Sequence, residues 1–148
     1  MRTKIAILII ALSFSLDACV AQTLRETLRT SDQMVTEAKA VIVELSVDDV
    51  KRMIDNKEQI IILDVRDKDE FESGWIPGAI NLSRGMLEFK ISALIPDKNT
   101  TVIVYCGIDL RGPLAVRTLN EMGYRKAVNM IGGLKAWKAA GFPIAKQR

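Results

Sequence analysis

The chain has 148 residues, 49% of them hydrophobic and 26% charged, with a net charge of +3; that is enough for one domain with its own core and too little for two. The composition excludes general disorder, and so small a charge gives no case for a nucleic-acid partner. There is no histidine anywhere in the sequence, which excludes Cys–His and Ser–His–Asp mechanisms and ordinary His-based metal sites.

At the N-terminus, Arg2 and Lys4 precede an unbroken apolar run from Ile5 to Leu12. A run this short does not span a bilayer, which takes about 20 apolar residues. It shows none of the polar positions at 3.6-residue spacing that a one-sided buried helix would need. Residues 1–18 are therefore expected to be a signal peptide, and the protein to be exported to the periplasm. Leu16-Asp17-Ala18-Cys19 resembles a bacterial lipobox, with Asp17 where that pattern has a small or apolar residue. Lipidation of Cys19 would tether the chain to a membrane; ordinary cleavage after Cys19-Val20-Ala21 is the other route. Loss of residues 1–18 removes Arg2, Lys4 and Asp17 and lowers the charge from +3 to +2. Cys106 is then the only thiol in the folded part. An unpaired cysteine in an oxidising compartment points to a functional thiol.

Residues 19–40, polar from residue 23 on, are expected to form a tether or an N-terminal helix, followed by one domain over 41–146. Val41–Leu45 is a short β-branched run. Ser46 caps a helix to about Asn56, with Asp48 and Asp49 in the first turn where the helix dipole favours acids. Ile60–Val65 has the continuous apolar character of a buried strand, and an acidic helical turn follows to Gly74. Ala79–Leu82 is a third strand, Gly85–Leu94 a helix stopped by Pro96, and Thr100–Tyr105 a strongly β-branched fourth strand. Pro113 suits the first turn of a helix ending at Gly123. Ala127–Ile131 is a fifth strand, and Gly132-Gly133 opens a last helix carrying Trp137. Apolar strands alternating with helices predict a three-layer α/β domain, a parallel sheet of about five strands flanked by helices.

In such sheets ligands sit beyond the carboxyl ends of the strands, where Cys106 immediately follows the fourth strand. The segment Cys106-Gly107-Ile108-Asp109-Leu110-Arg111-Gly112-Pro113 runs from that strand into a helix. A loop of this kind turns successive amides inward as an anion nest, and those amides with the Arg111 guanidinium would stabilise a Cys106 thiolate. The alternative is a buried small hydrophobe beside a surface cation. That alternative leaves the Cys, the Arg five positions on and the strand–helix junction as unrelated facts.

Three motifs in order carry a family resemblance over about Val41 to Ile144. Leu63-Asp64-Val65-Arg66, with Glu70-Phe71 and Gly74-Trp75-Ile76-Pro77-Gly78-Ala79-Ile80-Asn81, is the first. Val102–Cys106 with Arg111 is the second, and Gly132-Gly133 with Trp137 and Gly141-Phe142-Pro143 the third. Together they resemble the single-domain rhodaneses. The resemblance implies a sulfurtransferase in which Cys106 accepts sulfur from a small donor such as thiosulfate and becomes a persulfide. A thiol or a cyanide-like acceptor then takes the sulfur. It also implies that the amides of Gly107, Ile108, Asp109, Leu110 and Gly112 cradle the persulfide and that Arg111 binds the anionic substrate, with no metal, no cofactor and a monomeric chain. Asp64 and Arg66 are expected to be structural, an internal ion pair that ties down the loop. The family often has Gly at the position of Asp109, Ser or Thr at that of Gly112, and His at that of Trp75. An Asp109 facing the pocket would oppose both the thiolate and thiosulfate. Two other functions stay open: a rhodanese-fold module that binds or senses without turnover, and a Cys-based phosphatase or arsenate reductase, whose loop is one residue longer.

Overall fold

The computed structural model describes residues 28–146; the expected signal peptide, Cys19 and the first part of the expected tether lie outside them. The first helix, α1 (Ser31–Lys39), crosses the point after Gln33 at which the chain divides into two contact units. In the first unit, the Thr30 hydroxyl oxygen accepts from the Gln33 amide, and the Gln33 carboxamide oxygen accepts from the Thr30 amide.

The second unit, from Met34, is the α/β domain. Its elements are β1 (Val43–Leu45), α2 (Val47–Asp55), β2 (Ile60–Asp64), α3 (Lys68–Glu72), β3 (Ile80–Asn81), a 3-10 turn (Arg84–Met86) leading into α4 (Leu87–Leu94), β4 (Thr101–Tyr105), α5 (Arg111–Glu121), β5 (Ala127–Met130) and α6 (Gly133–Ala139). The strands form one sheet in the order β1-β5-β4-β2-β3, and every pairing is parallel. One boundary differs from the sequence expectation in a way that concerns the site. Helix α5 starts at Arg111, two residues before Pro113, so Arg111 and Gly112 belong to its first turn.

Alternation along the strands builds two cores. Val102 and Val104 of β4 enter a cluster with Leu63, Leu87, Ile91, Val116 and Leu119 on the α4–α5 face of the sheet. Ile103 and Tyr105 enter the opposite cluster with Val50, Met130, Leu134 and Trp137 on the α2–α6 face. The sheet is thus covered on both sides, as a sheet of continuous apolar strands must be. Trp137 anchors the second cluster: its indole N–H donates to the Pro143 carbonyl at 2.9 Å and its ring meets Phe142 edge-on. Trp75 stacks on Phe71 with centroids 4.7 Å apart and bridges to Ala145.

Helix α2 starts where the sequence places it. The Ser46 hydroxyl oxygen accepts from the Asp49 amide at 3.1 Å, and the Asp49 carboxylate accepts from the Ser46 amide, a reciprocal capping box. The carboxylate, held by Ser46 and Arg52, lies below the ordinary range. Ser46→Ala should lower unfolding stability by about 1 kcal/mol in a urea titration, without altering the chemistry of Cys106. An unchanged midpoint would show that the box contributes nothing net.

Candidate active site

The carboxyl ends of β2, β4 and β5 meet at one edge of the sheet. The loops that leave them are bound together by backbone. The Val65 amide donates to the Tyr105 carbonyl, and the amides of Leu134 and Lys135 donate to the carbonyls of Cys106 and Gly107 at 2.7 and 3.0 Å. Cys106 emerges from β4 into this junction as a free thiol, 1% exposed and in contact with the α4–α5 core.

No amide from Gly107 to Gly112 donates to a backbone carbonyl or a side chain among the described residues, although the loop's first two carbonyls are both engaged. The first amides of α5 are orphaned in the same way, as at any helix start, and Leu110 at the cap supplies no side-chain bond. The loop therefore presents a run of unused N–H donors next to a buried sulfur. Such a run holds an anion, whether a thiolate, a persulfide or an oxyanion. The side chains of Ile108 and Leu110 point the other way, 61% and 47% exposed, so what these two residues bring to the site is backbone.

Arg111 reaches back across the mouth to α3. Its two terminal nitrogens donate to the two Glu70 carboxylate oxygens at 2.7 Å each, and one approaches Asp67 at 3.4 Å. The hydrogen bond from Arg111 holds the Glu70 carboxyl below its ordinary range and raises Arg111 further above its own. The guanidinium that the family resemblance would assign to an anionic substrate is thus shared with a carboxylate, at a partly exposed position where an incoming anion can compete.

Asp64 and Arg66 form a buried pair under the same loops. Arg66 donates through Nε and Nη2 to the Asp64 carboxylate, at 3.0 and 2.6 Å, and its other bonds go to the carbonyls of Glu70 and Gly74. Burial lowers the readiness of Arg66 to hold its proton, but the bond to and charge of Asp64 outweigh it. The buried Tyr105 hydroxyl oxygen accepts from the Ile76 amide; burial, reinforced by the nearby Asp64, pushes that phenol far above its usual range.

Asp109 lies neither in the mouth nor in solvent. At φ +70° it stands in the left-handed region where glycine is at ease, and its side chain is 12% exposed. One oxygen accepts from the Asn129 carboxamide at 2.7 Å and the other from the Lys39 ammonium. Burial disfavours the charge on Lys39, yet its bond to Asp109 and the charges of Asp109 and Glu44 hold the ammonium above its ordinary value. Gly112 is small for a reason of packing: a Cβ there would stand 2.3 Å from the Asn129 oxygen and 3.9 Å from the Cys106 sulfur.

Sequence reasoning brought Cys106, the 107–112 amides and Arg111 together. It did not assign roles to Glu70, Asn129, Lys39 or Glu44. Asn129 carried a readable signal, as a lone amide inside the apolar strand Ala127–Met130, where only a polar partner could justify it. No group of three or more metal-ligating side chains exists among the described residues, and no described helix is long and apolar enough to cross a membrane.

The family model for the rhodanese-like domain matches residues 46–140 of the chain. YrkF of Bacillus subtilis, named as a putative sulfur carrier protein, is 31% identical over 114 residues, covering 77% of this chain and 60% of its own length. The thiosulfate sulfurtransferase GlpE of Coxiella burnetii is 37% identical over 84 residues, 56% of this chain and 76% of GlpE. Among solved structures, RPA3614 from Rhodopseudomonas palustris superposes with a TM-score of 0.74 at 32% identity, covering 79% of this chain and 95% of that one; it is described as a protein of unknown function and possible tyrosine phosphatase.

Proposed function

The chain belongs to the rhodanese-like domain family, and from that premise we propose that it is a sulfurtransferase that carries sulfane sulfur as a persulfide on Cys106. The observation that supports this most is the set of unused amides from Gly107 to Gly112 beside a buried thiol, in a chain without histidine. A cysteine with no imidazole to take its proton must be held as thiolate by fixed dipoles and charge, and this loop supplies both.

The Cys106 thiolate attacks the outer sulfur of the donor. With thiosulfate the S–S bond breaks, sulfite leaves with the bonding pair, and Cys106 keeps the outer sulfur as a persulfide anion. An acceptor thiolate then attacks that terminal sulfur, leaving as its own persulfide and returning the Cys106 thiolate; cyanide would leave as thiocyanate. No step needs a metal or a redox partner. Negative charge moves one atom outward along the Cys106 side chain and stays within the cradle of amides, which is the stabilisation the loop is built to give. The exported location, and tethering through Cys19, belong to the same proposal.

The loop length argues against phosphate. Four residues separate Cys106 from Arg111, and a phosphatase of related fold has one more to make room for a tetrahedral group. The RPA3614 likeness keeps that function as the competitor. Incubation of the purified protein with thiosulfate, inorganic polysulfide or a small persulfide should add the mass of one sulfur atom. Addition of cyanide or a thiol should then remove it, and Cys106→Ser should gain nothing. If none of the three donors adds mass while a phosphate ester is cleaved, the competitor stands instead.

A further inference from the structure

Lys39 lies at the end of α1, outside the stretch matched by the family model, yet its ammonium sits on Asp109 in the middle of the cysteine loop. We infer that Lys39, Asp109 and Asn129 form a clasp that positions the active loop, with Lys39 as the residue that cancels the charge of the one carboxylate that the loop carries. The inference rests on the thiolate chemistry proposed above and extends the site beyond the family's boundaries.

Asp109 occupies a left-handed backbone position that is strained for a residue with a side chain. Nothing in the loop's own hydrogen bonding holds it there, since the loop amides are unused. What holds it is its carboxylate, fixed at one oxygen by Asn129 and at the other by Lys39. Asn129 is fully buried in β5, and its amide group donates both to Asp109 and to Glu44 of β1, each at 2.7 Å. Those two acceptors fix the orientation of the carboxamide. Its oxygen consequently lies against Gly112 with no partner. Lys39 also lies 3.4 Å from Glu44, so one cation faces two carboxylates.

An ordinary surface ion pair contributes about 0–1 kcal/mol, and by that measure Lys39 would be dispensable. Its place differs in two respects. It is the neutralising charge for a carboxylate that shares a short loop with the nucleophile. It is also the only cation bonded to Asp109 among the described residues. Without it, Asp109 would oppose formation of a negative charge on Cys106, and the αL turn that aims the amides would lose one of its two ties.

The charged groups packed around the loop are Asp109 and Arg111 themselves, Asp67 and Glu70 at α3, Asp64 and Arg66 at the end of β2, Glu44 of β1 and Lys39 of α1. Of these, Lys39→Met changes only the charge facing Asp109 and Glu44. The test is the pH profile of Cys106 alkylation by iodoacetamide in the full chain, read as its midpoint. Lys39→Met should raise the midpoint by about one pH unit. Lys39→Arg should restore it, and Lys39→Met with Asp109→Asn should bring it back towards wild type by removing the charge left unpaired. Thermal unfolding is followed alongside, because a merely structural role would lower Tm and leave the midpoint in place. An unmoved midpoint in Lys39→Met overturns the clasp. Alkylation reads the thiolate whether or not Cys106 ever carries sulfur. A protein that takes no sulfur but shows the shift would therefore overturn the proposed function alone.

Discussion

Gly133→Ala is expected to lose on the order of 3 kcal/mol of stability and to disrupt the cysteine loop in whatever fraction remains folded. Two independent penalties act at this position. Its φ of +58° lies in the left-handed region, where a Cβ is strained whatever the space around it. A Cβ built there would also stand 2.4 Å from the Cys106 carbonyl oxygen and 3.1 Å from the carbonyl carbons of Cys106 and Gly107. These are backbone atoms and cannot rotate away. The reason for so close an approach lies in the next residues: the amides of Leu134 and Lys135, at the start of α6, take the carbonyls of Cys106 and Gly107. Those two bonds fix the start of the loop on α6 and leave the amides that follow without a protein partner among the described residues. Adding a methyl pushes the loop off the helix and breaks both bonds. Gly85→Ala is the control, since a Cβ there meets nothing within 4 Å and needs no unusual backbone angle; it should stay within about 0.5 kcal/mol of wild type. Urea unfolding together with sulfur loading by mass checks the pair. If Gly133→Ala unfolds at the wild-type midpoint and still loads one sulfur, the contact between α6 and the loop is not what shapes the site.

The fold was legible because its strands are apolar on both faces and are separated by capped helices, a pattern that leaves little besides a covered parallel sheet. Ile60–Asp64 and Thr101–Tyr105 fell almost where their β-branched runs indicated, and Ser46 with Asp49 marked the start of α2 to the residue. The exception was the start of α5. Proline tolerates any position in a helix's first turn, because the amide it lacks would be unpaired there in any case, so Pro113 could not say whether the helix began at 111 or 113. Of the site, the local part could be read: a thiol at a strand end, a short loop, a guanidinium. The partners that come from distant sequence could not. Asp109 raised a question of charge that local sequence has no means to answer, because its partners Lys39 and Asn129 lie 70 and 20 residues away. Glu70 was visible as part of a motif, but its pairing with Arg111 spans 41 residues and depends on how α3 is held.

That holding is the task of Arg66, and Arg66→Met is expected to cost about 3–5 kcal/mol. The change removes the positive partner of Asp64, whose side chain is fully buried, and leaves a carboxylate in a low-dielectric interior with the Arg66 amide as its donor. It also strands the Gly74 carbonyl, just past the end of α3, and leaves the Glu70 carbonyl, in the middle of that helix, with the Ser73 hydroxyl alone. If the unpaired charge is the main cost, the double variant Arg66→Met with Asp64→Asn should recover part of the loss, since the introduced carboxamide is neutral but can still accept from the backbone. If instead the lost bonds to the two carbonyls dominate, the double variant will be no better than the single. Urea unfolding of the four members of this cycle separates the two causes. The site should register the change as well. The Glu70 carboxylate that meets Arg111 is presented by a backbone that Arg66 grips through the Glu70 carbonyl, so the loss of Arg66 should loosen the pairing of Arg111 even in protein that stays folded. Sulfur loading should then slow in the single variant under conditions where it remains native, and a wild-type loading rate there would show that Arg111 does not depend on the buried pair for its position.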